Sequence, residues 1–212
     1  MQTIAVIDYG MGNLRSVTKA LEHVTDQKII LTDNLDEIVA ADRIVFPGQG
    51  AARDCMKSID DCGLRDVIVE CEKTKPFLGI CMGMQVLMHH SEENQGTACL
   101  GVFDGHVTSF AKDLKEKGET LKVPHMGWNQ VKQVKQHALW EGIPDNARFY
   151  FVHSYYLDVI GTELHAGTCH YGHDFSAVIA KDNVFAMQCH PEKSAEHGLQ
   201  LLKNFTNWDG QA

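Results

Sequence analysis

Gly79-Ile80-Cys81-Met82-Gly83 places a thiol between two glycines, directly after the apolar run Phe77 to Ile80. After a strand and before a helix, such a residue occupies the sharp turn that lifts a nucleophile above a sheet edge, and the glycines allow close backbone approach. A helix N-terminus at that point favours thiolate, and the Met82 N–H is a candidate oxyanion donor. A thiol nucleophile needs a base. Among twelve histidines, the one in Gln188-Cys189-His190-Pro191-Glu192 is best equipped, because alternate residues of an extended segment point the same way and Glu192 can then orient the His190 ring. The roles that follow are Cys81 as nucleophile, His190 as base and then acid, and Glu192 as the group that holds the tautomer and stabilises the imidazolium. Cys189 would face the other side. Pro47-Gly48-Gln49-Gly50 follows the strand-like RIVF and can present a second oxyanion donor, the backbone N–H of Gln49.

Each of these signals also has a bland reading. A lone G-x-C-x-G is what a buried cysteine closing a core strand presents, H-P-E alone is a surface turn before a last helix, and Pro-Gly-Gln-Gly is equally a simple glycine turn. The weight lies in the pairing of Cys81 with His190. The other six of seven cysteines read as core residues; the odd count and the lack of a C-x-x-C pair suggest neither a disulfide framework nor a four-thiolate zinc site. His89-His90 and the trio His165, His170 and His173 resemble ligand clusters but carry no motif of recognised ligand geometry, so they read as solvated or core, and no metal is expected.

The elements that must position these groups alternate in the first half. TIAVIDYG (Thr3 to Gly10) reads as a buried strand and turn. In LRSVTKALEHVT, Leu14, Val17, Leu21 and Val24 share one helical face. KIILT, DEIVAA and RIVFPG repeat strand, helix, strand; a helix over Leu64 to Lys73 leads to PFLGIC and a further helix from Met82 to about His90. This alternation implies an α/β fold with a mostly parallel sheet flanked by helices. After about Gly101 the helical period gives way to short β-prone runs, FYFVHSYYL and SAVIAKDNVFAMQCH, the latter with a KDN turn, which predicts an antiparallel or mixed C-terminal portion. Ala111 to Lys122 (AKDLKEKGETLK) reads as an exposed hairpin tip or loop. Ser194 can cap a last helix whose stripe is Leu199, Leu202 and Phe205.

With 212 residues, 44% apolar and 22% charged, residues 1–212 fit one domain with a sizeable core. A formal charge of -9 argues against a partner recognised through its phosphate backbone, so no nucleic acid is expected. MQTIAVIDYGMGN has no basic leader, and no stretch approaches the roughly 18 apolar residues of a membrane span. The expectation is a cytoplasmic protein with no membrane partner.

G-I-C-x-G-x-Q (Gly79 to Gln85) and H-P-E (His190 to Glu192), in the order Cys, His, Glu, resemble the motifs of the class I, triad-type glutamine amidotransferases. The blocks DYGMGNLRS (Asp8 to Ser16), PGQGA (Pro47 to Ala51), PHMGWN (Pro124 to Asn129), YFVHSYY (Tyr150 to Tyr156) and HPEKS (His190 to Ser194) narrow the resemblance to the glutaminase subunits of imidazole glycerol phosphate synthases. These blocks span nearly the whole chain. The resemblance implies a flavodoxin-like class I glutamine amidotransferase fold and hydrolysis of L-glutamine without a cofactor. It implies ammonia delivery, in a heterodimer, to a (β/α)8-barrel cyclase of histidine biosynthesis. It further implies that Gly50, Gln85, Glu93, His153, Ser154 and Tyr155 bind glutamine, and that Asn13, Trp128, Tyr150 and Lys193 are interface or gating residues. Two departures stand out: Gln49 replaces the small apolar residue common between those glycines, and the Ala111 to Lys122 segment is longer than the pattern. Three alternatives remain: a glutaminase or lone cysteine hydrolase serving other chemistry, a silent binding subunit, and a flavodoxin-like binding module, the last lacking G-x-G-x-x-G.

Overall fold

The computed structural model describes residues 2–116 and 118–211. Its first half alternates strands with helices: β1 (Thr3–Ile7), α1 (Leu14–Val24), β2 (Lys28–Thr32), α2 (Leu35–Ala40), β3 (Arg43–Gly48), α3 (Ala52–Asp61), α4 (Arg65–Thr74), β4 (Phe77–Cys81) and α5 (Met82–Gln85). Ile4 to Ile7, Ile44 to Phe46 and Phe77 to Leu78 are fully buried, as expected of parallel strands covered on both faces.

The second half supplies β5 (Met88–Ser91), β6 (Thr97–Ala98), β7 (Phe103–Ser109), β8 (Lys115–Glu116), β9 (Glu119–Thr120), β10 (His125–Gln133), β11 (Ala147–His153), β12 (Tyr155–Leu157), β13 (His165–Tyr171), β14 (His173–Lys181), β15 (Val184–Met187) and α6 (Ala195–Asn207). The main sheet runs β2-β1-β3-β4-β15-β14-β12-β7-β5-β6, with β10, β11 and β13 branching from β14. From β2 to β15 all pairings are parallel; from β15 onward they are antiparallel except β5 with β7. The expected change of grammar is therefore present: along the chain it follows α5, and across the sheet it falls between β15 and β14.

Strand order reverses at β1, so right-handed crossovers send α1 and α2 to opposite faces. α1 packs against α6 and α2 against α4. In parallel register Gly48 lies beside Cys81 and Met187 beside Ile80. The carboxyl ends of β3, β4 and β15 thus adjoin, the position where open α/β sheets bind ligands.

Four local expectations are corrected. The helix after Cys81 stops at Gln85, and Met88 to Ser91 form a strand; the apolar run suits either state, and pairing with β7 decides it. α3 was not anticipated, although Ala52, Cys55, Met56 and Ile59 form its buried face. The Ser194 side chain makes no cap bond; its hydroxyl donates to the His190 carbonyl and accepts from the Tyr150 N–H. On α6, Leu201 is buried together with Leu202 and Phe205 whereas Leu199 is half-buried. The Ala111 to Lys122 segment contains the β8–β9 hairpin, and Lys117 within it lies outside the described residues.

Candidate active site

Cys81 ends β4 with φ 56° and ψ −111°, a backbone conformation that L side chains rarely adopt. The flanking glycines make the turn sterically feasible. A Cβ on Gly83 would lie 1.8 Å from the Phe46 carbonyl oxygen, and one on Gly79 would lie 2.8 Å from the Ala186 Cβ. Either would push the turn away from β3 or β15. Cys81 itself is 6% exposed, at the floor of a cavity of about 440 Å³, a volume in the range of small-molecule sites.

His190 Nδ1 lies 2.8 Å from Glu192 Oε1, with both side chains almost fully buried. The expected geometric reason was alternation along an extended segment. The observed one is a single 3₁₀ turn, Pro191–Lys193, which folds the carboxylate back toward the ring. Backbone from β11 fixes this turn: the His190 N–H donates to the Tyr150 carbonyl at 2.9 Å, and the Tyr150 N–H donates to Ser194 Oγ at 2.9 Å. Burial opposes an imidazolium here, but neighbouring Cys81 and Glu192 outweigh it and hold His190 above its ordinary range. Its Nε2 is buried and has no protein hydrogen-bond partner. Cys189 is fully buried and does not line the cavity.

The cavity wall brings together Gln49, Gly50, Met82, Gln85, Glu93, His153, Ser154, Tyr155 and Lys193 with Cys81 and His190. Pro124 and Val152 join them; both lie in blocks that carry the resemblance but had been given no role at the site. Gln85 Oε1 is buried without a partner. Glu93 Oε2 accepts the Ala52 N–H at 2.7 Å, so it also pins the start of α3 immediately after Gly50. The Gln49 carbonyl accepts from the Cys55 thiol at 3.3 Å, and burial pushes that thiol up to about 12.

Behind the wall lies a hydrogen-bonded chain that sequence reasoning missed. His153 Nδ1 donates to the Tyr155 carbonyl at 2.7 Å, so its Nε2 accepts from His125 Nδ1 at 2.9 Å. Burial lowers His153 to about 3 and His125 to about 4, keeping both neutral. Gln85 Nε2 donates to the same Tyr155 carbonyl at 3.1 Å and to Gln188 Oε1 at 2.8 Å. A buried glutamine inside the apolar run VFAMQC was the one visible signal.

The four residues expected at an interface separate into three places. Trp128 and Tyr150 are cross-strand partners with ring centroids 6.2 Å apart, and Trp128 is 44% exposed. Lys193 lines the cavity. Asn13 lines a narrow recess with Gln49, His190 and Glu192. Of the histidines that resembled ligands, His165 bonds Thr168 and Ser176, His170 pairs with Asp174 on the surface, His173 lies tilted against Tyr156, and His90 meets His106 edge-on. Among the described residues no group of three or more His, Cys, Asp or Glu is placed to hold a metal ion.

A nucleophile on a strained strand-to-helix turn, with a carboxylate-oriented histidine beside it, is equipped for acyl transfer through a covalent intermediate. The chain belongs to the class-I glutamine amidotransferase family, which it matches over residues 5–208. It is 58% identical over 211 residues to the imidazole glycerol phosphate synthase subunit HisH of Pseudomonas putida, covering 100% of both chains. It is 57% identical to the protein of that name from Dechloromonas aromatica, covering 98% of this chain and 97% of the other. Among solved structures, a putative GMP synthase protein from Thermoplasma acidophilum superposes with a TM-score of 0.70 at 18% identity, covering 98% of this chain and 93% of that one. That last likeness establishes the α/β amidotransferase fold alone.

Proposed function

We propose that this protein is the glutaminase subunit of an imidazole glycerol phosphate synthase in histidine biosynthesis, with residues 1–212 acting as one amidotransferase domain. The observation that carries this reading is the end-to-end similarity to subunits of that name, at 57–58% identity with at least 97% of each chain covered.

In this reading Cys81 attacks the carboxamide carbon of L-glutamine. The C–N bond breaks as His190 protonates the departing ammonia, and water activated by the same histidine releases glutamate from the thioester. Glu192 holds the ring, and the N–H groups of Gln49 and Met82 receive the oxyanion. Gly50, Gln85, Glu93, His153, Ser154 and Tyr155 bind the substrate; the unpartnered Gln85 Oε1 is a free acceptor for one of its N–H groups. Ammonia released into bulk water would protonate and lose nucleophilicity, which favours a sealed route into a docked partner. That partner is a (β/α)8-barrel cyclase subunit, engaged through Trp128, Tyr150, Lys193 and Asn13. The oxyanion segment at Gln49 is the switch: its donor is set only when the ligand-bound cyclase docks.

The protein acts in the cytoplasm; among the described residues no helix is long and apolar enough to cross a membrane, and free thiols suit a reducing compartment. Glutaminase turnover of wild type and Cys81→Ala, with and without the purified cyclase and its nucleotide ligand, tests the proposal. Low activity alone, strong stimulation by the complex and none in Cys81→Ala are expected. Equal turnover with and without partner would refute the coupling, and ammonia transfer only to a different synthase would refute the assignment.

A further inference from the structure

We infer that Gln188 is a further member of the catalytic machinery, the side-chain donor that holds and polarises the Cys81 sulfur. Its Nε2 lies 3.6 Å from Cys81 Sγ, within reach of an N–H···S bond, and its side chain is fully buried. The inference rests on the glutaminase reading insofar as Cys81 is the nucleophile.

The orientation of the Gln188 amide follows from its neighbours. The Tyr155 carbonyl can only accept, so the Gln85 atom 3.1 Å from it is nitrogen. That nitrogen's second proton points at the Gln188 atom 2.8 Å away, which must be oxygen. The other end of the Gln188 amide is therefore NH2, and it faces sulfur. Gln188 extends β15 past Met187, and its own N–H donates to the Ala177 carbonyl at 2.8 Å, so the strand end is tied to β14. Two rigid strands and two carboxamides thus fix the donor independently of any bound substrate.

The chemistry favours this arrangement. Donation to an anionic sulfur is a charge-assisted hydrogen bond, and donation to a thioester sulfur is weak. The Gln188 N–H therefore favours the ionised nucleophile over the thiol and holds Sγ in one rotamer on a turn whose backbone is strained. His190 approaches as acid and base with its own free Nε2, leaving the two groups to act on the sulfur separately.

The test uses the full-length chain, with Cys81 followed by peptide-level mass spectrometry because Cys62 is exposed and also reacts. Gln188→Glu keeps an acceptor for Gln85 and sets an oxygen against the sulfur; Gln188→Met keeps the volume and removes the donor. Alkylation of Cys81 by iodoacetamide at neutral pH should slow about tenfold in both, recovering at alkaline pH in Gln188→Met, and kcat in the cyclase complex should fall with little change in KM. In wild type, which needs no variant to fold, the Gln188 side-chain amide resonances should move when Cys81 is alkylated. Wild-type labelling rates across pH in the folded variants, or amide resonances indifferent to alkylation, would overturn the inference. A wild-type Cys81 inert to a glutamine-analogue electrophile in the complex would instead remove the glutaminase reading itself.

Discussion

Cys81 offers a stability measurement that isolates the strain of its turn. Replacing a buried alanine by glycine ordinarily destabilises by about 1.5 kcal/mol, the sum of about 0.8 for one buried carbon and roughly 0.5–1 for added chain entropy. At position 81 the balance differs. The pair φ 56°, ψ −111° lies outside even the left-handed helical region, where ψ is near +47°. We therefore place the strain toward the upper end of the roughly 1–3 kcal/mol seen for such positions. Glycine has no Cβ and is free of it. Subtracting the two effects leaves Cys81→Gly more stable than Cys81→Ala by about 1 kcal/mol, a shift of roughly 2–4 °C in Tm for a chain of this size. Because both variants lack the thiol, its loss cancels. Urea unfolding of the two, followed by fluorescence of the buried Trp140 and Trp208, reads the difference directly. Glycine less stable than alanine by the ordinary 1.5 kcal/mol or so would refute the strain.

Three other outcomes are expected. Glu192→Gln retains an acceptor for His190 but removes the carboxylate charge, so kcat should fall by roughly 10²–10⁴; a loss below about tenfold would show that Glu192 does not support the imidazolium. Burial lowers His125 and His137 to about 4 and His153 to about 3. Each stays neutral when folded and takes a proton on unfolding below the usual imidazole value, so stability should decline as pH falls from about 6.5 toward 4, with a slope of up to about 4 kcal/mol per pH unit. Urea titrations at stepped pH check this, and a flat profile would mean that these rings protonate in place. Trp128→Ala should weaken cyclase binding by about 2 kcal/mol, roughly 30-fold in Kd, with melting of the free chain unchanged; calorimetry on the pair decides it.

The thiol, the histidine and the carboxylate were legible because each sits in a short motif whose spacing has a chemical meaning. The parallel half was legible because period-3.6 stripes alternate with apolar runs. α3 was less legible because its apolar positions Cys55, Met56 and Ile59 are separated by the polar run of Arg53, Asp54, Lys57, Ser58, Asp60 and Asp61, although they form one buried stripe. Apart from Gln85, the stretch MQVLMHH is apolar until its histidines, so no period separates helix from strand. Gln188, Tyr155 and His125 could not be joined from sequence. Their hydrogen bonds cross 70 to 107 positions or bridge separate strands, and such pairings are set by three-dimensional register.

The placement of β15 has a consequence for synthesis. Strands β1, β3 and β4, the last ending at Cys81, leave the ribosome first, whereas the strand β15 that lies against β4 arrives more than a hundred positions later. A nascent chain can thus display the nucleophile's strand with one edge open, and neither His190 nor Glu192 exists to activate it. Only release of the chain through β15 closes that edge. The order of the motifs along the chain is therefore also an order in time, in which the reactive sulfur is made first and armed last.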